Sequence, residues 1–303
     1  MKDKIKSTSL LFLTAIIWGF AFVAQRVGAD YVGAFTFNGV RFLLGACSLI
    51  PVILIFEREQ FNKKKFIKTF LTGILAGIIL FIASSLQQFG IVFTGSAGKA
   101  GFLTGLYIVL VPLIRFVMGK KTSILTFLGA IFAVVGLFFL CITGDKVSFG
   151  IGDIVLIVGA FFWAGHILVV DKFVNTISAL KFSMVQFFTC GILSMLFAIF
   201  TEVIEISAIK EAGVPILYGG LMSVGVAYTC QILGQKNADP TFASIVFSTE
   251  SVFSAVGGAL ILHEMMSGRG YAGCVLIFIG IILSQITIDD IKKLNNKKIE
   301  NNN

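Results

Sequence analysis

Four charged or titratable side chains lie inside long apolar stretches of this sequence, where they could bind a ligand or carry charge. They are Arg41, Lys99, His166 and Glu250. A charge near the centre of a bilayer costs about 3 kcal/mol on insertion scales, so it must face protein or a water-filled cavity. Glu250 is the strongest candidate for function, because a carboxylate within VFSTESVF reaches water only through a cavity.

Each of the other three residues also has a structural interpretation. Arg41 and Lys99 could extend their alkyl stems so that their charges reach an interface. His166 could be a neutral core residue that is bonded to a backbone carbonyl. For Glu250 the functional interpretation is favoured.

The sequence contains an internal repeat with a spacing of about 145 residues. FNGVRF aligns with FSMVQF, and LTAIIWGFAFVAQRV aligns around its tryptophan with IVGAFFWAGHILVVDKF. Gly129 and Gly136 align with Gly273 and Gly280 at nearly the same spacing. Such a duplication is typical of secondary transporters, whose substrate site lies between the copies.

The repeat places several polar or aromatic side chains at equivalent positions. Equivalent positions of inverted copies converge near the midplane of the membrane. Two tryptophans there would form flat walls that stack on a substrate or cover a cation, and their mid-span positions disfavour an interfacial belt. The equivalent pairs are Arg41 and Gln186, Trp18 and Trp163, and Gln87 and Gln231.

The composition is that of a membrane protein, with 57% hydrophobic residues, 13% charged residues and a mean hydropathy of +0.96. Soluble proteins carry nearly twice this charged fraction. The net charge of +8 lies in short runs between apolar segments, which favours loops that face anionic headgroups over a nucleic-acid surface. The five cysteines are scattered singly, so neither a disulfide framework nor a zinc site is indicated.

The sequence predicts ten transmembrane helices, each of about 20 residues. The N-terminal MKDKIK and its apolar run are interpreted as an uncleaved first helix. With the N-terminus inside, most of the 24 lysines and arginines lie in inside segments, which predicts that both termini are cytoplasmic. Five spans per copy make the repeats inverted. The predicted domains are a first repeat over 1–145, a second over 146–290 and a polar, basic, cytoplasmic tail over 291–303.

Glycines and prolines predict how these helices pack. Gly73 with Gly77, and Gly101 with Gly105, form GxxxG motifs that favour close helix packing within the bundle over a dimer interface. The repeated glycines would let the fifth and tenth helices pack against each other or against their neighbours. Pro112 should bend the fourth helix, whereas Pro240 fits the start of the ninth.

The chain resembles the tandem-EamA members of the drug/metabolite transporter superfamily over about residues 8 to 288. In that family helices one to four and six to nine line a central cavity, and helices five and ten lie outside it. Ser251 stands where the family usually has a proline, so a proline bend is not predicted there. The residues that carry the resemblance are Trp18-Gly19, Asn38 with Arg41-Phe42, Val111-Pro112, Thr249-Glu250-Ser251-Val252 and His263-Glu264.

The resemblance and the buried charges together predict a secondary active transporter in the plasma membrane. We expect an exporter of small metabolites such as amino acids, working by alternating access, with a proton as the candidate coupling ion. Arg41 and Lys99 would attract a carboxylate, and Glu250 or His166 would take an amine or a proton. Desolvation of a buried glutamate is consistent with proton coupling. The predicted substrate-binding residues are Trp18, Asn38, Arg41, Gln87, Lys99, Trp163, His166, Gln186, Tyr228, Gln231 and Glu250.

Two other functions were weighed. One is a facilitative channel or a carrier for another small solute. The other is an intramembrane enzyme acting on lipids, for which only His263-Glu264 comes close. That pair and Asp171-Lys172 are interpreted as solvated helix ends, although either could gate the pathway. We expect no enzymatic activity, cofactor, metal or nucleic acid. The expected partners are a small-molecule substrate, membrane lipid and a proton, with the chain a monomer or weak homodimer.

Overall fold

A computed structural model describes residues 2–57, 62–120, 123–141, 150–263 and 268–285. Within these ranges the chain forms ten long helices and no strand, and one short helix, Ile206–Glu211, precedes the eighth long one. The long helices are α1 Lys2–Gly28, α2 Ala34–Phe56, α3 Lys63–Thr94, α4 Ala97–Val117, α5 Ile124–Cys141, α6 Ile151–Phe173, α7 Ala179–Thr201, α8 Gly213–Gln235, α9 Pro240–Ile261 and α10 Gly268–Gln285.

The prediction of an all-helical, ten-span membrane fold is confirmed. Eight of the helices are long and apolar enough to cross a bilayer. The apolar parts of α5 and α10 are shorter, Ile124–Gly136 and Gly268–Leu283. The predicted domain boundary near residue 145 and the tail over 291–303 lie outside the described residues.

The contacts between the repeats occur in matching sets. The α1–α9 contact corresponds to α6–α4, and α3–α7 corresponds to α8–α2. Equivalent rings also touch, since the ring centroids of Trp18 and Trp163 are 6.3 Å apart and those of Phe42 and Phe187 are also 6.3 Å apart. Residues that contact their own counterparts lie on the two-fold axis that relates the copies.

The repeated glycines pack α5 directly against α10. A Cβ added at Gly136 would lie 2.5 Å from the carbonyl oxygen of Gly273, and one at Gly280 would lie 2.5 Å from that of Gly129. The two backbones therefore meet without intervening side chains, as small residues allow in membranes. The alternative packing of these glycines against other neighbours is not observed at these positions.

The other predicted packing residues also find partners inside the bundle. Gly73 and Gly77 face α7, where an added Cβ would lie 2.7 Å from Val185 and 2.5 Å from Thr189. Pro240 begins α9, and the Asp239 side chain accepts the amide of Thr241 at 2.9 Å. The predicted helix start is confirmed.

Two glutamates hold α2 and α7 together at opposite ends of the bundle. Glu202, which follows α7, accepts the backbone amides of Phe35 and Thr36 at the start of α2, both at 2.8 Å. Glu57, which follows α2, accepts the amide of Leu180 at the start of α7 at 3.0 Å. A carboxylate at a helix N-terminus accepts hydrogen bonds from the free amides there and interacts favourably with the positive end of the helix dipole.

These two carboxylate caps are equivalent across the repeat, because Glu57 corresponds to Glu202 and Phe35 corresponds to Leu180 at the same spacing of about 145 residues. The sequence analysis did not single them out. A cap at each end requires α2 and α7 to run antiparallel, as expected for inverted copies.

Replacing Glu202 should destabilise the helical bundle. Loss of a carboxylate cap costs about 1–2 kcal/mol, so Glu202→Ala should lower the melting temperature of the detergent-purified protein. Glu205→Ala is the matched control, because Glu205 is exposed on the same connection and its side chain forms no cap. Equal melting temperatures for the two variants would contradict a stabilising role for this cap.

Candidate functional site

A small cavity lies between the two repeats, near the middle of the helices that line it. Its volume is about 30 Å³, which is room for about two water molecules. Side chains or helices must move apart before a metabolite could occupy it. None of its described lining residues belongs to α5 or α10. The predicted site residues that line it are Trp18, Arg41, Gln87, Trp163, Tyr228, Gln231 and Glu250.

Arg41 is a buried cation at this cavity, with 2% of its surface exposed. Its Nε donates to Oδ1 of Asn38 at 3.0 Å, and Nδ2 of Asn38 donates to the carbonyl of Ser84 at 3.1 Å. The guanidinium carbon lies 4.8 Å from the ring centroid of Phe42. Within the described part of the chain, no ion pair includes Arg41. Asn38 therefore orients the guanidinium without neutralising its charge.

Glu250 lies on the same cavity with only 4% of its surface exposed. Its Oε1 accepts a hydrogen bond of 2.9 Å from the hydroxyl of Tyr107. Tyr107 is not among the site residues that the sequence predicts. Its position could have indicated it, since Tyr107 and Glu250 occupy nearly equivalent points of the fourth helix in each copy.

Both α4 and α9 are interrupted immediately before these two residues. In α4 the amide of Ile108 bonds to the third preceding carbonyl, that of Gly105, and in α9 the amide of Ser251 bonds likewise to Ser248. The α9 interruption occurs without a proline at position 251. Discontinuous helices at the midplane are typical of transporter binding sites.

Pro112 lies within the second part of α4, beyond this interruption. A proline leaves the carbonyl four residues earlier without an amide partner, and here that carbonyl belongs to Ile108. The interruption at Gly105 and Leu106 is six to seven residues before Pro112, or nearly two turns. The bend predicted at Pro112 therefore stays a prediction.

An aromatic cluster forms one wall of the cavity. The Tyr228 ring lies 4.7 Å from that of Trp18 and 6.3 Å from that of Trp163. The Trp18 indole N–H donates to the carbonyl of Ser223 at 3.3 Å. The indole nitrogen of Trp163 and Oε1 of Gln231 are buried without a hydrogen-bond partner. An unsatisfied buried donor and acceptor are costly, and here both belong to residues that line the cavity.

His166 and Gln186 lie behind this wall. His166 is fully buried, and its Nε2 is 2.9 Å from Oε1 of Gln186. The His166 ring meets Trp163 edge-on at 6.2 Å. These two predicted site residues therefore support the aromatic cluster and do not line the cavity.

Lys99 is not brought to the central cavity. It lies in the first turn of α4, where its Nζ is 2.8 Å from Oδ1 of Asp153 at the start of α6. Asp153 is buried and also accepts the amide of Gly150 at 2.7 Å. The structure thus separates Lys99 from Arg41, although the sequence analysis had grouped them around one carboxylate.

The middle of α8 is wound as a π-helix over Tyr218–Ala227. Three hydrogen bonds to backbone carbonyls connect it to α1. The Thr14 hydroxyl donates to the carbonyl of Ala227 at 3.0 Å, and the Tyr218 hydroxyl donates to that of Ile17 at 3.0 Å. The third is the bond from Trp18 to Ser223 described above. π-helical turns occur frequently at functional sites. Gly219 within it lets the Arg41 side chain pass, because an added Cβ would lie 3.2 Å from Cδ of Arg41.

The remaining sequence candidates lie at helix ends. Asp171 is near the end of α6. At the nearby end of α4, Nη1 of Arg115 binds the Asp239 carboxylate, with distances of 2.6 Å and 2.5 Å to its two oxygens. His263 follows α9 with a φ of 56°, and Glu264 lies outside the described residues.

The chain matches known transporters along most of its length. A protein of Archaeoglobus fulgidus described as an uncharacterized transporter is 27% identical over 283 residues, covering 92% of this chain and 85% of its own. The uncharacterized transporter YoaV of Bacillus subtilis is 23% identical over 291 residues, covering 90% and 94%. A solved crystal structure at 18% identity has a TM-score of 0.76 and covers 92% of this chain and 96% of its own, which supports the fold.

The model of the EamA-like transporter family matches twice, at residues 5–142 and 150–286. The two matches follow the two inverted repeats that surround the cavity. The chain therefore belongs to the EamA-like transporter family and is a multi-pass membrane transporter.

Proposed function

We propose that the protein exports small zwitterionic metabolites of the amino-acid class across the plasma membrane by alternating access, in exchange for protons. The observation that carries this proposal is that Arg41 and Glu250 line one cavity and form no ion pair with each other. A ligand with an anionic and a cationic group would complement both. We further propose that both termini are cytoplasmic.

Arg41 supports the proposal that the substrate carries an anionic group. A buried guanidinium without a counter-ion is unfavourable, and a substrate carboxylate would supply that counter-ion. Arginine can bind both oxygens of a carboxylate through parallel hydrogen bonds. Because Asn38 occupies Nε, the two Nη groups are the donors assigned to the substrate.

The aromatic cluster supports the proposal that the substrate also has an apolar part. Trp18, Trp163 and Tyr228 present ring faces and edges, which favour packing of an apolar or aromatic group. The indole N–H of Trp163 can donate to the ligand, and Oε1 of Gln231 can accept from it. Neither contact requires breaking an existing hydrogen bond.

Glu250 supports the proposal that substrate export is coupled to proton entry. An ionised Glu250 accepts from Tyr107 and can also receive a substrate ammonium group. Protonation neutralises the carboxylate, so a proton and the ammonium group compete for the same site. Competition of this kind produces exchange, in which proton entry from one face releases substrate to it.

Ion pairs at the two ends of α4 support alternating access. At one end Lys99 binds Asp153 of α6, and at the other Arg115 binds Asp239 before α9. α4 itself is interrupted at the level of Tyr107. The cavity between these ends is small and needs one end to open before substrate can enter.

Arg41→Gln should weaken binding of carboxylate-bearing ligands. A hydrogen bond to a charged group contributes about 1.5–3 kcal/mol, so the apparent affinity should fall roughly tenfold to a hundredfold. A thermal-shift screen of the purified protein against amino acids, organic acids and amines measures this. Arg26→Gln is the charge-matched control, because Arg26 is paired with Asp30 outside the cavity. Unchanged affinity for carboxylates in the Arg41 variant would exclude this role.

Glu250→Gln should abolish uptake driven by a pH gradient in proteoliposomes, because the amide cannot take up the coupling proton. Tyr107→Phe should retain such uptake at a reduced rate, since only one hydrogen bond to the carboxylate is lost. Glu211→Gln, at an exposed position before α8, is the control. Undiminished proton-driven uptake by a folded Glu250→Gln protein would remove Glu250 from the mechanism.

Counterflow distinguishes this carrier from a channel. Vesicles loaded with unlabelled substrate should accumulate labelled substrate transiently, because an alternating-access carrier returns faster when loaded. The ligand is the amino acid with the largest thermal shift. A channel would show no such trans-acceleration, and its absence would contradict alternating access.

A further inference from the structure

A second cavity of about 690 Å³ opens at the face of the bundle where α1 begins. Its walls come from the residues around the start of α3, the connection between α6 and α7, and the end of α8. The first wall belongs to the first repeat and the other two belong to the second. The cavity shares no lining residue with the central one.

The walls of this second cavity are strongly basic. Four lysines line it, three from the start of α3 and one that directly follows α8, and Glu57 is the acidic residue among the described lining residues. The Oε1 atom of Glu57 accepts the amide of Leu180, whereas Oε2 is buried and has no hydrogen-bond partner within the described part of the chain. The lining thus attracts an anion and also offers one acceptor for a hydroxyl. The four lysines are Lys64, Lys65, Lys68 and Lys236.

The start of α3 adds to this preference for an anion. The helix begins at Lys63, and the Asn62 side chain caps it by accepting the amide of Lys65 at 3.1 Å. No acidic residue lies in the first turn. The positive end of the helix dipole therefore favours an anion such as phosphate.

The surroundings of the cavity are those of a lipid headgroup. Its floor contains the buried apolar side chains Val174 and Ile232. On the outer surface of α3, Phe66 is 50% exposed and Phe70 is 45% exposed, and their rings stack at 6.2 Å. Lysines beside exposed apolar side chains are expected where acyl chains meet headgroups, because the lysine stem lies along the apolar surface and its charge reaches the headgroups.

We propose that this cavity binds the headgroup of an anionic phospholipid with a hydroxylated headgroup, such as phosphatidylglycerol. The lysines bind the phosphate, and a glycerol hydroxyl donates to Oε2 of Glu57. The acyl chains lie along the phenylalanines of α3. Because the walls come from both repeats, the bound lipid bridges the two halves at one face and stabilises their present arrangement.

The test uses the full chain, purified in detergent and titrated with dioctanoyl phosphatidylglycerol. We expect a saturable rise in melting temperature that dioctanoyl phosphatidylcholine and inorganic phosphate do not reproduce. The triple variant Lys64→Gln/Lys68→Gln/Lys236→Gln should weaken the apparent affinity at least about tenfold, because each lysine contributes to attraction of anionic lipid. These side chains are exposed, so the variant is expected to fold.

A second triple variant, Lys63→Gln/Lys120→Gln/Lys172→Gln, is the control. It removes the same charge from exposed lysines that do not line the cavity, and it should retain the affinity for phosphatidylglycerol. Equal weakening in both triple variants would overturn the proposal, because the effect would then be one of net charge. Equal stabilisation by phosphatidylcholine, or by inorganic phosphate, would overturn the assignment to an anionic lipid. These readouts do not depend on transport or on the central cavity.

Discussion

The helical bundle depends on one constraint, which is that a bilayer offers no water to satisfy buried polar groups. Every such group must find its partner on another helix, in a cavity or in a ligand. At the ends of α2 and α7 the partners are the carboxylates of Glu202 and Glu57. At the π-helix they are side chains of α1, and at the N-terminal end of α4 the partner is Asp153. These polar contacts fix which helices touch, because apolar burial alone does not select among neighbours in lipid.

The central cavity is one place where this constraint is left incompletely met. Arg41 is oriented by Asn38 and covered by Phe42, yet no carboxylate of the described chain neutralises it. The indole nitrogen of Trp163 and an oxygen of Gln231 are also left without partners. Lys99 and Arg115, in contrast, are paired with Asp153 and Asp239. A site that binds and releases a polar solute needs such unpaired groups, because a solute cannot form new polar contacts where every group already has a partner.

The sequence predicted the architecture because duplication and hydropathy act over long stretches. Arg41, Trp18 and Trp163 could be expected at one cavity because equivalent positions of inverted copies converge, and Glu250 because a carboxylate within an apolar span needs a cavity. It failed where the outcome depends on how helices are rotated about their axes. The partner of Lys99 is on another helix and 54 positions along the chain, and nothing in the α4 sequence indicates Asp153. Nor does the sequence show that Tyr107 contacts Glu250, although the two residues lie at nearly equivalent positions of the repeat.

The contact between Phe42 and Phe187 shows that α2 and α7 approach each other at the symmetry axis. One residue earlier, the first copy has Arg41 and the second has Gln186, which binds His166 instead. Two separate, identical subunits meeting there would bring a pair of arginines together in a dry interior, and their repulsion would oppose assembly. When both halves are joined in one polypeptide, their sequences no longer need to be identical. The ancestral symmetry can then break at a single position and leave one positive charge where a dimer would have been forced to carry two.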